Sequence, residues 1–111
     1  MSHPLYDRER ATALLPLLNS ITAELRERTA ELERIEALLA RAEAGKRVRA
    51  SVHDLVASAA THRREIRLAR TELERLGCSI VGTEPITIRI PGQSGSRRHS
   101  FVYQSGDAIL R

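Results

Sequence analysis

Four residues carry side chains that commonly bind zinc, and they are the first candidates for chemistry in this chain. They are His53, His62, Cys78 and His99, four of the five histidine and cysteine residues of the chain. A zinc site combines several imidazole or thiolate ligands at suitable spacing. No two of these residues have the i, i+4 spacing of helical ligands or the Cys-x-x-Cys spacing of a zinc knuckle. We therefore expect no metal site and no cofactor, and His62 is more simply explained as a histidine in the core of a helix pair.

A second group of candidates consists of basic side chains that could contact the phosphates of nucleic acid. Its members are Lys46, Arg47, Arg49, Arg63, Arg64, Arg67, Arg70, Arg97 and Arg98. Arg63, Arg67 and Arg70 have the i, i+4, i+7 spacing of one helix face, which favours a basic surface. Glutamates at 65, 72 and 74 interleave with them, and such a mixture is also typical of a solvated face with ion pairs. The alternative function is therefore binding of structured RNA or DNA through the arginine face of the second helix and the tip of the helical hairpin.

Catalytic chemistry would have to come from the segment 92–96 or from the carboxylates of the N-terminal half. The segment lacks the Gly-Lys-Ser/Thr ending of a phosphate-binding loop and the strand-to-helix setting of a nucleophilic serine. The glutamates at 24, 27, 31 and 33 are spaced along a predicted helix, where ion pairing with Arg28 or Arg34 is the expected role. We expect a protein without enzymatic activity.

Length and composition limit what can position these residues. A chain of 111 residues is expected to form one small domain covering 1–111. Hydrophobic residues at 41% and charged residues at 29% exclude a disordered tail, while aromatic residues at 3% predict an aliphatic core. One cysteine excludes an intramolecular disulfide, and the sequence has no secretory pattern and no apolar run long enough to cross a bilayer. We expect a cytoplasmic protein.

Charge is unevenly distributed along the chain, whose net charge is +4. Residues 1–44 contain six basic and eight acidic side chains, residues 45–77 eight and four, and residues 78–111 four and two. The basic excess therefore lies in the middle and the tail, and it would permit an acidic partner.

Two heptad patterns predict two long helices. Their apolar series are Leu14, Leu18, Ile21, Leu25, Leu32, Ile35, Leu39 and Ala42, and then Val52, Leu55, Ala59, His62, Ile66, Ala69, Leu73 and Leu76. Spacings of three and four are typical of a helix seam. Asp7 and Ser51 are suitable N-caps. Gly45 and Gly77 are suitable ends, and Pro16 predicts a kink or a break. The short connection between the helices predicts an antiparallel hairpin over about 8–76.

The region 78–111 has the period of two that is typical of strands. Ile86, Ile88 and Ile90 alternate with Thr87 and Arg89. Phe101 and Tyr103 alternate in the same way with Ser100, Val102 and Gln104. The segment 91–96 is rich in turn-forming residues and predicts a mobile hairpin tip. Further short strands are predicted at 79–81 and 108–110. The predicted fold class is α+β and mainly α, with a long, coiled-coil-like α-helical hairpin followed by a small antiparallel β-hairpin or meander.

Several apolar residues lie outside the helix seams and require a cover, because a two-helix hairpin buries only one stripe of each helix. Leu15 and Leu17 are expected to lie under the strand region. Leu38, Val56 and Leu68 are expected to pack against a second copy of the hairpin, which would give a homodimeric four-helix bundle. The first expectation for function is therefore a small cytoplasmic interaction module that self-associates through its hairpin and has an unidentified protein partner.

Three short motifs are similar to those of one known family. They are Tyr6-Asp7-Arg8-Glu9-Arg10-Ala11 followed by Leu14-Leu15-Pro16, then Leu76-Gly77-Cys78, then Ile90-Pro91-Gly92. With these motifs the chain resembles an uncharacterised bacterial family, domain of unknown function 2203, over nearly its whole length. The resemblance implies a long helical pair followed by a short strand segment, and it implies no established activity.

Overall fold

A computed structural model describes residues 5–111 of the chain. In these residues, helices α1 Arg8–Ala13, α2 Leu15–Glu43 and α3 Val52–Arg75 precede strands β1 Ser79–Thr83, β2 Ile86–Ser94 and β3 Arg97–Gln104. The predicted α+β class, mainly α with an antiparallel sheet after the helices, is confirmed. No helix of residues 5–111 is both long enough and apolar enough to cross a membrane.

Contacts divide the chain into two compact units. The hairpin unit is Glu24–Ala69, and the sheet unit is Met1–Ala23 together with Arg70–Arg111. Helices α2 and α3 each contribute residues to both units.

The ends of the helices follow the capping residues of the sequence. The Asp7 carboxylate accepts a hydrogen bond from the Arg10 backbone N–H at 2.7 Å at the start of α1. The predicted break is present: α1 ends at Ala13 and α2 begins at Leu15. Pro16 therefore lies in the first turn of α2, where a missing N–H costs no helical hydrogen bond. Gly45 and Gly77, which follow α2 and α3, have φ values of +77° and +80°, as a left-handed C-terminal cap requires.

The core of the hairpin unit is small. Ile35, Leu55 and Ala59 are fully buried, and the partly buried side chains that pack against them are Leu32, Leu38, Leu39 and Val48. The placement of Leu38 on a separate stripe was wrong in this respect, because Leu38 follows Ile35 by less than one turn and flanks the same buried stripe. Val52, predicted in the seam, is half-exposed as the first residue of α3.

The sheet unit contains an antiparallel sheet in the order β1-β2-β3. Glu84 and Pro85, joined by a cis peptide bond, connect β1 to β2, and Gly95 and Ser96 connect β2 to β3. Ile88, Ile90, Phe101 and Tyr103 are buried, as their alternation predicted. The prediction of a strand at 108–110 was wrong: these residues form no strand, and the last residue joins β3 through two backbone hydrogen bonds between Val102 and Arg111.

The prediction of a mobile tip over 91–96 was also wrong. Strand β2 continues to Ser94, and residues 91–94 pair with residues 97–100 of β3. The other edge of this part of β2 pairs with Tyr6, whose N–H donates to the Pro91 carbonyl and whose carbonyl accepts from the Gln93 N–H, both at 2.9 Å. This bridge uses the carbonyl of Pro91 and needs no N–H there, so proline is compatible with the strand.

Candidate functional site

The residues predicted for self-association do not form one stripe. Val56 and Leu68 are both more than half-exposed on α3, whereas Leu38 is partly buried in the hairpin core. At about 100° per residue, the positions of Val56 and Leu68 lie about 120° apart around the helix. The residue that shares the direction of Val56 is Val52, one turn earlier and also half-exposed. We name this surface the Val52–Val56 face.

The Val52–Val56 face borders the buried stripe of α3. Leu55 and Ala59 define that stripe, and helical geometry turns Val52 and Val56 by less than a right angle from it. Apolar area in the hairpin unit is therefore continuous from the core to an exposed edge.

The predicted arginine face of α3 is partly neutralised. Arg63 donates to the Glu36 carboxylate at 3.2 Å, Arg64 is exposed, and Arg67 has an interaction of its own. Arg70 is exposed in the sheet unit, where it lines a shallow pocket together with Glu74. The basic residues of the connection between α2 and α3, which are Lys46, Arg47 and Arg49, are exposed.

The zinc-binding candidates are not brought together. His53 is exposed beside Asp54, and the Nδ1 atom of half-buried His62 lies 3.4 Å from Nη1 of Arg28. Burial raises the pKa of the Cys78 thiol to about 11, which disfavours the thiolate that a metal would need. Within residues 5–111, no group of three or more histidine, cysteine or acidic side chains could hold a metal ion.

An open groove of about 510 Å³ runs along the hairpin unit and was not predicted. It is lined by Glu24, Glu27, Arg28, Glu31 and His62. Two of its three acidic side chains are engaged: Arg28 lies 3.5 Å from Glu24, and the hydrogen bond from Arg34 holds the pKa of Glu31 below its usual value. The groove therefore resembles the ion-paired helix surface that the glutamate spacing predicted.

A basic cleft of about 390 Å³ lies at the turn end of the sheet. Its lining residues are Arg8, Ser94, Arg97, His99 and Phe101. Alternation along β3 directs Arg97, His99 and Phe101 to the same side of the strand, and Arg8 comes from the first turn of α1. We name this site the Arg8–Arg97 cleft.

The Phe101 ring contacts two of the other side chains that line the Arg8–Arg97 cleft. The ring is buried, the guanidinium carbon of Arg8 lies 5.2 Å from the ring centre, and the His99 imidazole meets the ring edge-to-face with centres 4.7 Å apart. His99 Nε2 is also 2.9 Å from Ser94 Oγ. A Cβ atom at Gly92 would lie 2.6 Å from Phe101 Cε2 and 3.1 Å from His99 Cε1. Glycine is therefore required at 92 for both rings to lie over β2.

A second basic cleft of about 290 Å³ shares His99 with the first. Arg89 and Arg98 line it together with Ser100, and Arg89 Nε donates to Ser100 Oγ at 2.8 Å. No carboxylate is among the described residues that line either cleft. The ion pairs found in residues 5–111 do not involve Arg8, Arg89, Arg97 or Arg98.

Sequence reasoning found part of this basic surface and missed the rest. Arg97 and Arg98 were predicted as phosphate contacts from their charge. The period of two in β3 could have shown that these neighbours point to opposite sides of the strand. The contribution of Arg8 has no local signal, because it depends on how α1 packs beside a strand about ninety residues away.

One comparison with known proteins identifies a family. The family described as "uncharacterized conserved protein (DUF2203)" matches residues 4–110, so the chain belongs to it. No curated protein and no solved structure matches the chain.

Proposed function

We propose that this member of the DUF2203 family is a non-enzymatic interaction module that self-associates through its hairpin unit. The observation that carries the proposal is the incomplete burial of apolar residues in that unit. Three side chains form the buried core and four more are only partly covered, while Val52 and Val56 remain about half-exposed. A cytoplasmic location belongs to the same proposal, because one unpaired cysteine is typical of a reducing compartment.

A second copy of the hairpin is the partner that best fits the Val52–Val56 face. In a two-fold symmetric dimer each copy presents the same face, so every apolar residue at the interface contributes buried area from both copies. Full burial of a valine stabilises by about 1.5–3 kcal/mol, and half-exposed side chains would contribute roughly half of that. Packing two helical hairpins together gives a four-helix bundle with a core that neither hairpin has alone.

The test is the mass of the protein in solution, measured by light scattering after size exclusion. The wild type should have about twice the monomer mass of 12.4 kDa at micromolar concentration. Val56→Glu should shift it toward monomer, because the introduced carboxylate would be buried without a partner. Leu68→Glu is the matched control, since Leu68 is equally exposed on the same helix but points in another direction. A monomeric wild type, or equal effects of both substitutions, would contradict the proposal.

Nucleic-acid binding is the second candidate function, and the two basic clefts favour it. Arginines without competing carboxylates are a suitable contact for phosphate, whereas Arg63 on α3 is already ion-paired. Binding to single-stranded RNA should weaken steeply with salt. Replacing both Arg97 and Arg98 by Gln should reduce the log–log salt slope by about 1.4, and the same replacement of Arg63 and Arg64 should reduce it less. Salt-independent binding, or no binding at low salt, would exclude this candidate.

A further inference from the structure

We propose that the Arg8–Arg97 cleft binds one phosphate group, carried either by a small organic phosphate ester or by a nucleic-acid chain. This inference extends the second candidate function, nucleic-acid binding. It rests on that function only if the bound phosphate belongs to a nucleic acid. It is independent of self-association, because its residues lie in the sheet unit.

The chemistry of the lining matches a phosphate group. Arg8 and Arg97 each provide a planar fork of N–H donors, the geometry that pairs with two phosphate oxygens at once. Ser94 Oγ and His99 Nε2 add two more polar atoms to the same wall, 2.9 Å from each other. A cationic cleft without a carboxylate among its described lining residues attracts an anion.

Arg8, His99 and Ser94 are held in position before any ligand arrives. The Phe101 ring supports Arg8 on its face and His99 at its edge, and it can lie there only because residue 92 is glycine. Ser94 fixes His99 from the other side. Side chains that are already oriented lose less conformational entropy on binding, so a site of this kind binds more tightly than free surface arginines.

The size of the cleft leaves room for a group attached to the phosphate. A volume of about 390 Å³ lies within the usual range of small-molecule sites, about 300–1,000 Å³. The neighbouring cleft with Arg89 and Arg98 also borders His99, but Arg98 points to the opposite side of β3 from Arg97. A mononucleotide is therefore a suitable probe.

Amide chemical shifts of the ¹⁵N-labelled full chain would test the inference. Adenosine 5′-monophosphate and inorganic phosphate should both shift the amides around Ser94 and residues 97–101, whereas adenosine should not. Arg97→Gln should weaken binding of adenosine 5′-monophosphate about tenfold or more, the typical effect of losing a charged hydrogen bond. Arg98→Gln is the control, since this neighbour lines the other cleft and its loss should have a much smaller effect. Both arginines are exposed, and unchanged thermal melts would verify that the variants fold.

The results with adenosine 5′-monophosphate and with RNA distinguish phosphate binding in the cleft from nucleic-acid binding, the second candidate function. Shifts with adenosine 5′-monophosphate but no binding of a short single-stranded RNA would support the cleft as a site for a small phosphate ester and exclude nucleic acid. RNA binding without any effect of adenosine 5′-monophosphate or phosphate on the cleft would overturn the inference and leave the nucleic-acid candidate standing. Equal shifts with adenosine, or equal losses in Arg97→Gln and Arg98→Gln, would also overturn it.

Discussion

At the scale of single residues, Cys78 is expected to be chemically inert in the folded protein. Burial raises its pKa to about 11, and its side chain is almost inaccessible. Since the thiolate is the reactive form, alkylation by iodoacetamide at pH 8 should be at least about tenfold slower in the native state than in denaturant. Reaction rates followed by mass spectrometry would check this. Equal rates in the two states would mean that Cys78 is exposed and ionised.

Asp107 is expected to make stability depend on pH below neutrality. The hydrogen bonds from Arg111 and from the Gln104 N–H hold the pKa of its carboxyl below the usual value. A group with a lowered folded pKa stabilises the protein above its unfolded pKa, about 3.9, and loses that contribution as pH falls through the folded value. Asp107→Asn should therefore be less stable than the wild type near pH 6, and the difference should shrink on acidification. Thermal melts from pH 6 down to pH 2 measure this difference, which would stay constant if the carboxylate had no such role.

At the scale of elements, a buried hydroxyl links α2 to β3. The Tyr103 hydroxyl donates to the Asn19 side chain and lies 3.2 Å from Thr22 Oγ1, and the Gly106 N–H donates to it at 3.3 Å. Asn19 and Gly106 are exposed, and Thr22 keeps its hydrogen bond to the Leu18 carbonyl, so Tyr103→Phe does not strand a buried polar group. It should lower the free energy of unfolding by about 0.5–1.5 kcal/mol, the usual net contribution of a hydrogen bond.

A double-mutant cycle with Thr22→Val would separate this network from loss of packing. Thr22 is buried and also donates to the Leu18 carbonyl, so each single change has its own cost. Coupled partners should show an interaction energy of at least about 0.5 kcal/mol in chemical denaturation. Strict additivity of the two substitutions would mean that the hydroxyl contact contributes nothing.

The helices and strands also differ in how much of their structure could be predicted from the sequence. Helix seams and caps are local signals, so the break before α2 and the ends at Gly45 and Gly77 could be predicted. The extension of β2 through Pro91 could not, because it depends on pairing with Tyr6 at the other end of the chain. The Tyr103 network was missed for the same reason: heptad counting places Thr22 outside the seam and gives no sign of its partner on β3.

At the scale of the whole molecule, the chain combines a weakly buried helical hairpin with a sheet unit that carries two basic clefts. Composition predicted the first feature, since an aliphatic chain with 29% charged residues favours amphipathic helices. Which apolar residues remain exposed could not be predicted from periodicity. Val52 was assigned to the seam and Leu38 outside it, and their burial depends on how the two helices cross.

In the proposed dimer the Val52–Val56 face contacts the same face of a second copy. An isotope-filtered nuclear Overhauser experiment on a mixture of ¹³C-labelled and unlabelled protein detects contacts between protomers without any substitution. We expect intermolecular signals from the methyl groups of Val52 and Val56, and none from Leu68, which is exposed on another side of α3. Intermolecular signals from Leu68 or Ile109 instead of the two valines, or no intermolecular signal at all, would contradict it.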